Sequence, residues 1–556
     1  MTKEPDVDFD TAIGAPATFT IRGSRLETRV IDPPAPRVWS GVCSEIQQLR
    51  VEPSGLSTYS FEIVPRLWLL TRRTNHRIFQ YKSEVEIAIQ LLSEWSVRHE
   101  VRLDANQYPK RKYKAQYGET DYDFVNRMLE ECGVSYFYEQ QGDESVLIVT
   151  DAPEKREPRA PDLEFHDEPN IAPKGVSFAT SLQVSRVVSS GALALRDHDY
   201  RLQPSYKLYA TATAGTDIEK SLEVHESNSG MFLFRVPQGD TPVADAKGPA
   251  RTDERAASVI AVNRLAAMRA DASRLVFETN ASDISAGTVV RIVDHPRADV
   301  ESKTFLITEA TLQGSHDSDW QIDCVATSAA TPYRPPLRTP APTAFGTESA
   351  TVVGPAGEEI HVDEFGRVKC HFHWNRESQM DDDSSCWIHV SQGWSGAGFG
   401  SVMLPRIGQE VLVEFLGGDP DRPIVTGRVY TNLQKVPYGL PANKTQSGIK
   451  THSSPTTGGY NELMFEDKAG AELLRMQAER DKSVLVKRNR TATVGVNCST
   501  SVGSNSSLNV GANRSVTVGS NRSVTVGKND SKTVGAAQNE TIGATKSISA
   551  GSSVSV

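Results

Sequence analysis

From Thr491 to the end of the chain, glycine returns every eight residues, at Gly495, Gly503, Gly511, Gly519, Gly527, Gly535, Gly543 and Gly551, without a slip. The residue before each is Val494, Val502, Val510, Val518, Val526, Val534, Ile542 and then Ala550. A second apolar residue often stands two positions earlier, as at Leu508, Val516, Val524 and Ile548, so the apolar positions alternate as in a strand with one buried face. Asn497, Asn505, Asn513, Asn521 and Asn529 follow the glycines by two residues, and both residue types tolerate the backbone of a sharp corner. Each octad therefore predicts one strand and one corner, with the eight glycines as the corners. An octad reaches about 26 Å at most, one wall of a prism. A single-chain β-helix closes three walls per turn and would need a period roughly three times longer. The repeat thus predicts an intertwined needle in which three chains each supply a wall, with Val494, Val502, Val510, Val518, Val526, Val534 and Ile542 as its core.

Two other readings of this segment are weaker. Calcium-binding nonapeptide repeats need a period of nine and regular Asp, and a flexible Ser/Gly linker would not place valine so regularly. The needle segment also differs in charge from the rest. Residues 487–556 hold eight Lys and Arg against two acids, a net of +6, so the −10 of the whole chain leaves −16 on the preceding residues. Its lack of rings, Phe465 being the last aromatic, suits a narrow prism filled by valine.

Upstream, 486 residues exceed what one core can organise and predict several domains. Prolines at 332, 335, 336, 340 and 342 mark a stiff linker over 331–347, and a second Pro-rich stretch near 151–174 divides the preceding region, 1–330. Three helices are expected there. Ser83 caps a run with Val85, Ala88, Ile89, Leu92 and Trp95 on one face; Thr120 and Asp123 open a second that Gly133 stops; the third spans about Thr252 to Met268. Around them, short alternating runs such as YSFEIVPRL, VSYFYEQ and GTVVRIVDHP predict antiparallel sheets and barrels. In 348–435, VKCHFHW, SSCWIHV, GSVMLPR, QEVLVEF and PIVTGRVY predict five strands of a small closed barrel of the OB type. In the first of these, Val368, Cys370, Phe372 and Trp374 would face the core, and Lys369, His371 and His373 the other side.

The runs EIHVDEFGRVKCHFHW, SSCWIHVSQGWSGAGFGSVMLPRIGQEVLVEFLGGDPDRPIVTGRVY and LPANKTQSGIKTHSS, with FEIVPRLWLLTRRTNHRIFQ and YGETDYDFVNRMLEECGVSYFYE before them, resemble the VgrG family of type VI secretion spike proteins from about residue 9 to the repeats. That resemblance implies a mainly β protein: an α+β hub of phage-hub-like barrels (1–330), the linker, an OB-fold (348–435), a neck (436–486) and the trimeric β-helical needle (487–556). It implies a homotrimer seated on the Hcp tube among baseplate components, driven by sheath contraction through the target membrane and carrying effector proteins. A PAAR-type tip protein would cover the blunt end near Val554 and Val556. The protein would leave a bacterial cytoplasm through the type VI apparatus. The family pattern also implies strand residues ahead of DVDFDTAIGAPATF, which this sequence does not carry.

Residue-level chemistry agrees with a non-enzymatic, cofactor-free role. No run approaches the 18 or so apolar residues of a membrane span, the first residues do not read as a signal peptide, and six scattered cysteines form no CxxC pair. An acidic chain offers no bulk footprint for nucleic acid. His371 and His373 could begin a metal site with His361 or His389, but a strand face towards solvent or another subunit explains them without one. Ser395 in GWSGA lacks the last glycine of a nucleophile elbow and the helix after it. Gly396, Gly398 and Gly400 are too closely spaced for a phosphate loop. Asp381, Asp382 and Asp383, with Glu358, Glu359, Asp363 and Glu364, read as charged turns and not as a hydrolase pair. The competing assignment is a phage-tail-type β-helical spike that hydrolyses polysaccharide or peptidoglycan.

Overall fold

Strand alternation governs the architecture from the first sheet onward. The computed structural model describes residues 2–4, 6–22, 36–51, 55–168, 176–198, 208–227, 254–315 and 320–555. They divide into two units, Met1–Glu479 and Arg480–Val556. In the first, a helical turn α1 (Phe9–Ala12), capped by Asp8, precedes an antiparallel sheet of β1 (Pro16–Ile21), β2 (Arg37–Val51) and β3 (Ser57–Val64), with β2 central.

Next, β4 (Thr74–Lys82) leads into α2 (Glu84–Glu94), and β5 (His99–Arg102) and β6 (Arg111–Thr120) into α3 (Asp121–Cys132). Ser83 and Glu86 form a reciprocal capping box on α2. Thr120 accepts from Asp123 N at the start of α3, and Gly133 ends that helix in the left-handed conformation, as the sequence predicts. The apolar stripes meet: Val85, Ala88, Leu91 and Leu92 of α2 share a core with Phe124, Val125, Met128 and Leu129 of α3. Leu147 and Val149 of β8 (Glu144–Thr150) complete it; β8 pairs with β5 and with β7 (Ser135–Gln141).

Six strands then close a barrel in the order β10-β14-β17-β16-β15-β9: β9 (Leu163–Phe165), β10 (Phe178–Arg186), β14 (Ser273–Thr279), β15 (Val289–Val293), β16 (Lys303–Gln313) and β17 (Gln321–Ser328). Between β10 and β14 the chain makes a small layered excursion of β11 (Ala192–Asp197), β12 (Leu208–Thr213), a turn α4 (Asp217–Lys220), β13 (Glu223–Ser227) and α5 (Glu254–Met268). Leu193, Leu195, Ala257, Ala261 and Leu265 form its core. Thr252, where the third helix is expected to begin, lies outside the described residues.

The Pro-rich stretch is tied to the hub. Arg334 donates to Asn263 Oδ1 at 2.9 Å and to Asp151 O at 2.7 Å, and Glu130 accepts from the backbone of Arg338 and Thr339. After it come β18 (Glu348–Val353), β19 (Lys369–Phe372) and β20 (His389–Val390), a small hairpin of β21 (Ser395–Gly396) and β22 (Phe399–Gly400), then β23 (Glu410–Phe415) and β24 (Pro423–Arg428). Five of them form a sheet ordered β19-β18-β23-β24-β20, and the bridge Val368–Ile388 joins its two ends. The predicted strand GSVMLPR is absent: residues 401–406 carry no strand pairing, and Val402 is 76% exposed. Last in this unit is the antiparallel sheet of β25 (Gln446–Lys450), β26 (Glu462–Glu466) and β27 (Leu473–Gln477).

Candidate spike and trimer interface

The five-stranded sheet does not keep its core to itself. Tyr113 and Ala115 of β6 enter the same buried cluster as Val352, Cys370, Phe372, Val411 and Val413. Trp374 meets His76 and Tyr117 of the hub, with ring centroids 5.8 and 5.6 Å apart. Tyr117 donates to Glu348, and burial, followed by that carboxylate, pushes its hydroxyl up to about 12.

A charged cluster flanks this apolar contact. Asp421, in the Gly418-Asp419-Pro420 turn region, accepts from Ala115 N at 2.7 Å and pairs with Lys114 at 3.0 Å. Lys114 also reaches Glu131 at 2.9 Å, and Arg127 grips Glu119 with two bonds of 2.7 Å while touching Glu131 at 3.1 Å. Burial alone would raise the Glu131 carboxyl, but Lys114 and Arg127 overcome it and hold the group at about 2. Burial raises Glu119 despite Arg127. Arg77 to Glu377, at 2.9 Å, and Gln80 to Asp383 O, at 2.7 Å, extend the contact along β4. Hub and OB sheet are therefore fastened by ion pairs set around a shared apolar core.

The second unit has the opposite character. Among the described residues of 480–555 no strand pairing occurs, and bends recur at the octad glycines. Val494, Val502, Val510, Val518, Val526, Val534 and Ile542 stand 43–56% exposed, and Val554 53%. A Cβ built on any glycine from Gly495 to Gly551 meets nothing within 4 Å. Val556 lies outside the described residues. An extended chain that leaves its amides unpaired and its valines in water has lost conformational entropy without the burial or ladder bonds that offset it. It can be a stable element only when other strands close over it.

Residues with possible chemistry are mostly engaged structurally. His373 lies 2.8 Å from Glu410, and His371, 5.6 Å from His373 between ring centroids, is pushed down by burial and by His373. His361 lies against Trp387, ring centroids 4.9 Å apart and tilted by 30°, and faces Glu358. Among the described residues no group of three or more His, Cys, Asp or Glu is placed to hold a metal. Ser395 sits in the β21–β22 hairpin, with no helix after it.

Two sequence expectations are corrected here. Lys369 does not lie on a solvated strand face: it is 1% exposed, donates to Asp382 O and sits 5.4 Å over the Trp387 ring. Burial first, against the pull of Asp383 and Asp382, lowers its ammonium. Nor are all the acids solvated turns. The Asp363 side chain is 7% exposed and bound to Arg367 at 2.7 Å, while hydrogen bonds from Thr456 and Ser454 hold Glu359 at about 2. Alternation assigns a residue to a side of its own strand and does not register a second layer packed on that side.

Comparison with known proteins follows the same order along the chain. Residues 1–318 match the phage tail baseplate hub (GPD) family, 357–430 the type VI secretion system/phage-baseplate injector OB domain, and 447–556 the bacteriophage T4 gp5 C-terminal trimerisation domain. Hub, OB domain and trimerisation domain in this order define a phage-tail-type hub and spike. The type VI secretion system spike protein VgrG1b of Pseudomonas aeruginosa is 33% identical over 509 residues, 88% of this chain and 63% of that protein. VgrG1a of the same organism is 33% identical over 505 residues, 88% of this chain and 73% of the relative. The chain belongs to the VgrG family of type VI secretion spike proteins. It spans 63% of the length of VgrG1b. The fold is also that of the E. coli c3393 protein, described as a type VI secretion component with structural similarity to T4 bacteriophage tail proteins gp27 and gp5. Its TM-score is 0.52 at 18% identity, over 77% of this chain and 90% of that one. No helix among the described residues is long and apolar enough to cross a membrane.

Proposed function

We propose that the protein is the homotrimeric spike at the tip of a type VI injection apparatus, seated on the Hcp tube, and that it punctures target envelopes and delivers effectors mechanically. The observation that carries this is the run of octads, unpaired in one chain and matched to a trimerisation domain. Three such chains would bury Val494 through Ile542 along a common axis and turn at Gly495 through Gly551. With ladder bonds made between chains the needle has no free side edge to unzip, which suits a body pushed through a membrane. A PAAR-type tip protein is the partner proposed to dock near Val554 and Val556. The domain limits 1–330, 331–347, 348–435, 436–486 and 487–556 belong to the same proposal, as does export from the cytoplasm by the apparatus itself.

On this reading the chain needs no catalytic residue. Light scattering on the purified chain should give three times 60.8 kDa; a monomer refutes the trimer. Deleting the gene should stop release of the tube protein into the medium, and unchanged release refutes the tip role. Hydrolysis of peptidoglycan or capsule, lost on replacing one acid, would establish the hydrolase alternative instead.

A further inference from the structure

The sheet β25-β26-β27 is inside out. Its register pairs Ser447 with Phe465 and Phe465 with Leu474, and Ile449 with Leu463 and Leu463 with Met476. Alternation puts these six residues on one face. Five are apolar, none is charged, and the face is open: Ile449 is 52% exposed, Phe465 42%, Leu474 59% and Met476 62%. The opposite face carries Gln446, Lys450, Glu462, Glu466, Arg475 and Gln477 with Met464 and Leu473, yet it is the one the protomer partly covers, Glu462 being 8% and Met464 7% exposed. A sheet packed on its own domain buries the apolar face and wets the polar one. Here that order is reversed, and an open apolar patch of this kind marks an interaction site.

We infer that this face packs against the same face of two further copies of the chain, forming a collar that fixes the register of the three needle strands. The inference rests on the trimeric reading above and deepens it. The trimerisation-domain match begins at residue 447, in the first strand of this sheet, so the patch lies within the segment related to a trimer-forming domain. Three five-residue strands make a face about 10 Å wide and about 17 Å long, a shape that three copies can close around a threefold axis. Physical need points the same way. Octads that repeat without a slip pair almost as well when one chain is shifted by eight residues, since the core valines again meet valines. The sheet does not repeat, so it can dictate one alignment.

The test places a photo-crosslinking benzoylphenylalanine at position 474 or, separately, at 475 of the full chain, alongside light scattering. A trimer that crosslinks between chains from 474 and not from 475 supports the collar. A trimer with no crosslink from 474, or equal crosslinking from both positions, overturns the collar and leaves the trimeric reading standing. A monomer overturns both. In a second arm, Leu474→Asp with Met476→Asp should convert a monodisperse trimer into monomer or into mixed assemblies above trimer mass, as slipped chains leave unpaired octads. A monodisperse trimer with an unchanged urea dissociation midpoint would also overturn the collar.

Discussion

Replacing Asp421 by Ala should loosen the OB domain from the hub more than any exposed charge change in that domain. The carboxylate accepts a 2.7 Å bond from Ala115 N and pairs at 3.0 Å with Lys114, whose side chain is 11% exposed. Its loss leaves a buried amide unsatisfied, at about 1–3 kcal/mol, and takes one of two partners from Lys114. Breaking a buried pair outright costs about 3–5 kcal/mol, but Lys114 keeps Glu131 at 2.9 Å and the Asp421 side chain is 18% exposed, so only about 1 kcal/mol of that applies. Together these give about 3 kcal/mol. At about 2.1 cal/mol/K per residue, a cooperative unit of more than about 400 residues moves by about 1 °C per kcal/mol, so the midpoint of the hub and OB transition should fall by about 3 °C in calorimetry of the full chain. Asp421→Asn keeps an acceptor for the amide and removes the charge, so it should fall between. Glu364→Ala, an exposed acid of the same domain, should change little. A midpoint for Asp421→Ala within a degree of the parent, or a larger loss for Asn than for Ala, would refute the assignment.

Glu131, held at about 2 when folded against 4.5 unperturbed, adds stability that is complete above about pH 4.5 and disappears as pH falls towards 2. Thermal melts across that window should therefore show less acid sensitivity in Glu131→Gln than in the parent, and equal slopes would contradict this. Val518→Ser with Val526→Ser should lower the urea midpoint of trimer dissociation, because each valine, at about 1.5 kcal/mol or more when buried, counts three times per trimer; an unmoved midpoint would show these valines outside the core. Gly287→Ala forces a Cβ at φ +85° into the Phe137 ring, whereas Gly346→Ala at φ +79° meets open space. The first should lower the hub melting temperature clearly more than the second, and equal effects would refute the contact.

Local patterns survived folding well, and patterns that depend on a neighbour did not. The capping box at Ser83 and Glu86, the stop at Gly133 and the octad period are written within a few consecutive residues, so they could be read directly. The burial of Lys369 and the attachment of Asp421 to β6 join layers stacked across a sheet or segments far apart in the chain. No local spacing encodes them. GSVMLPR shows the converse error. Its alternation fits a strand, but a strand also needs an edge to pair with, and residues 401–406 find none among the described residues.

The same requirement separates the two units by kind. The barrel of β9, β10 and β14–β17 closes on itself, and the OB sheet nearly does through Val368 and Ile388, so one chain satisfies their amides. Among the described residues the octads have no such closure, and the conformational cost of ordering, about 1–2 kcal/mol per residue, falls on a segment whose valines stay exposed in one chain. Adding a chain to one neighbour would cover one side of each strand and leave the other unpaired. Three chains around an axis give every octad a neighbour on both sides and its valine an interior, so assembly is all or none along the needle. For that reason stepwise removal of octads from the end should lower the dissociation midpoint progressively while each remaining species stays trimer or monomer, never dimer. A stable dimer at any length, measured by light scattering, would refute the three-walled needle.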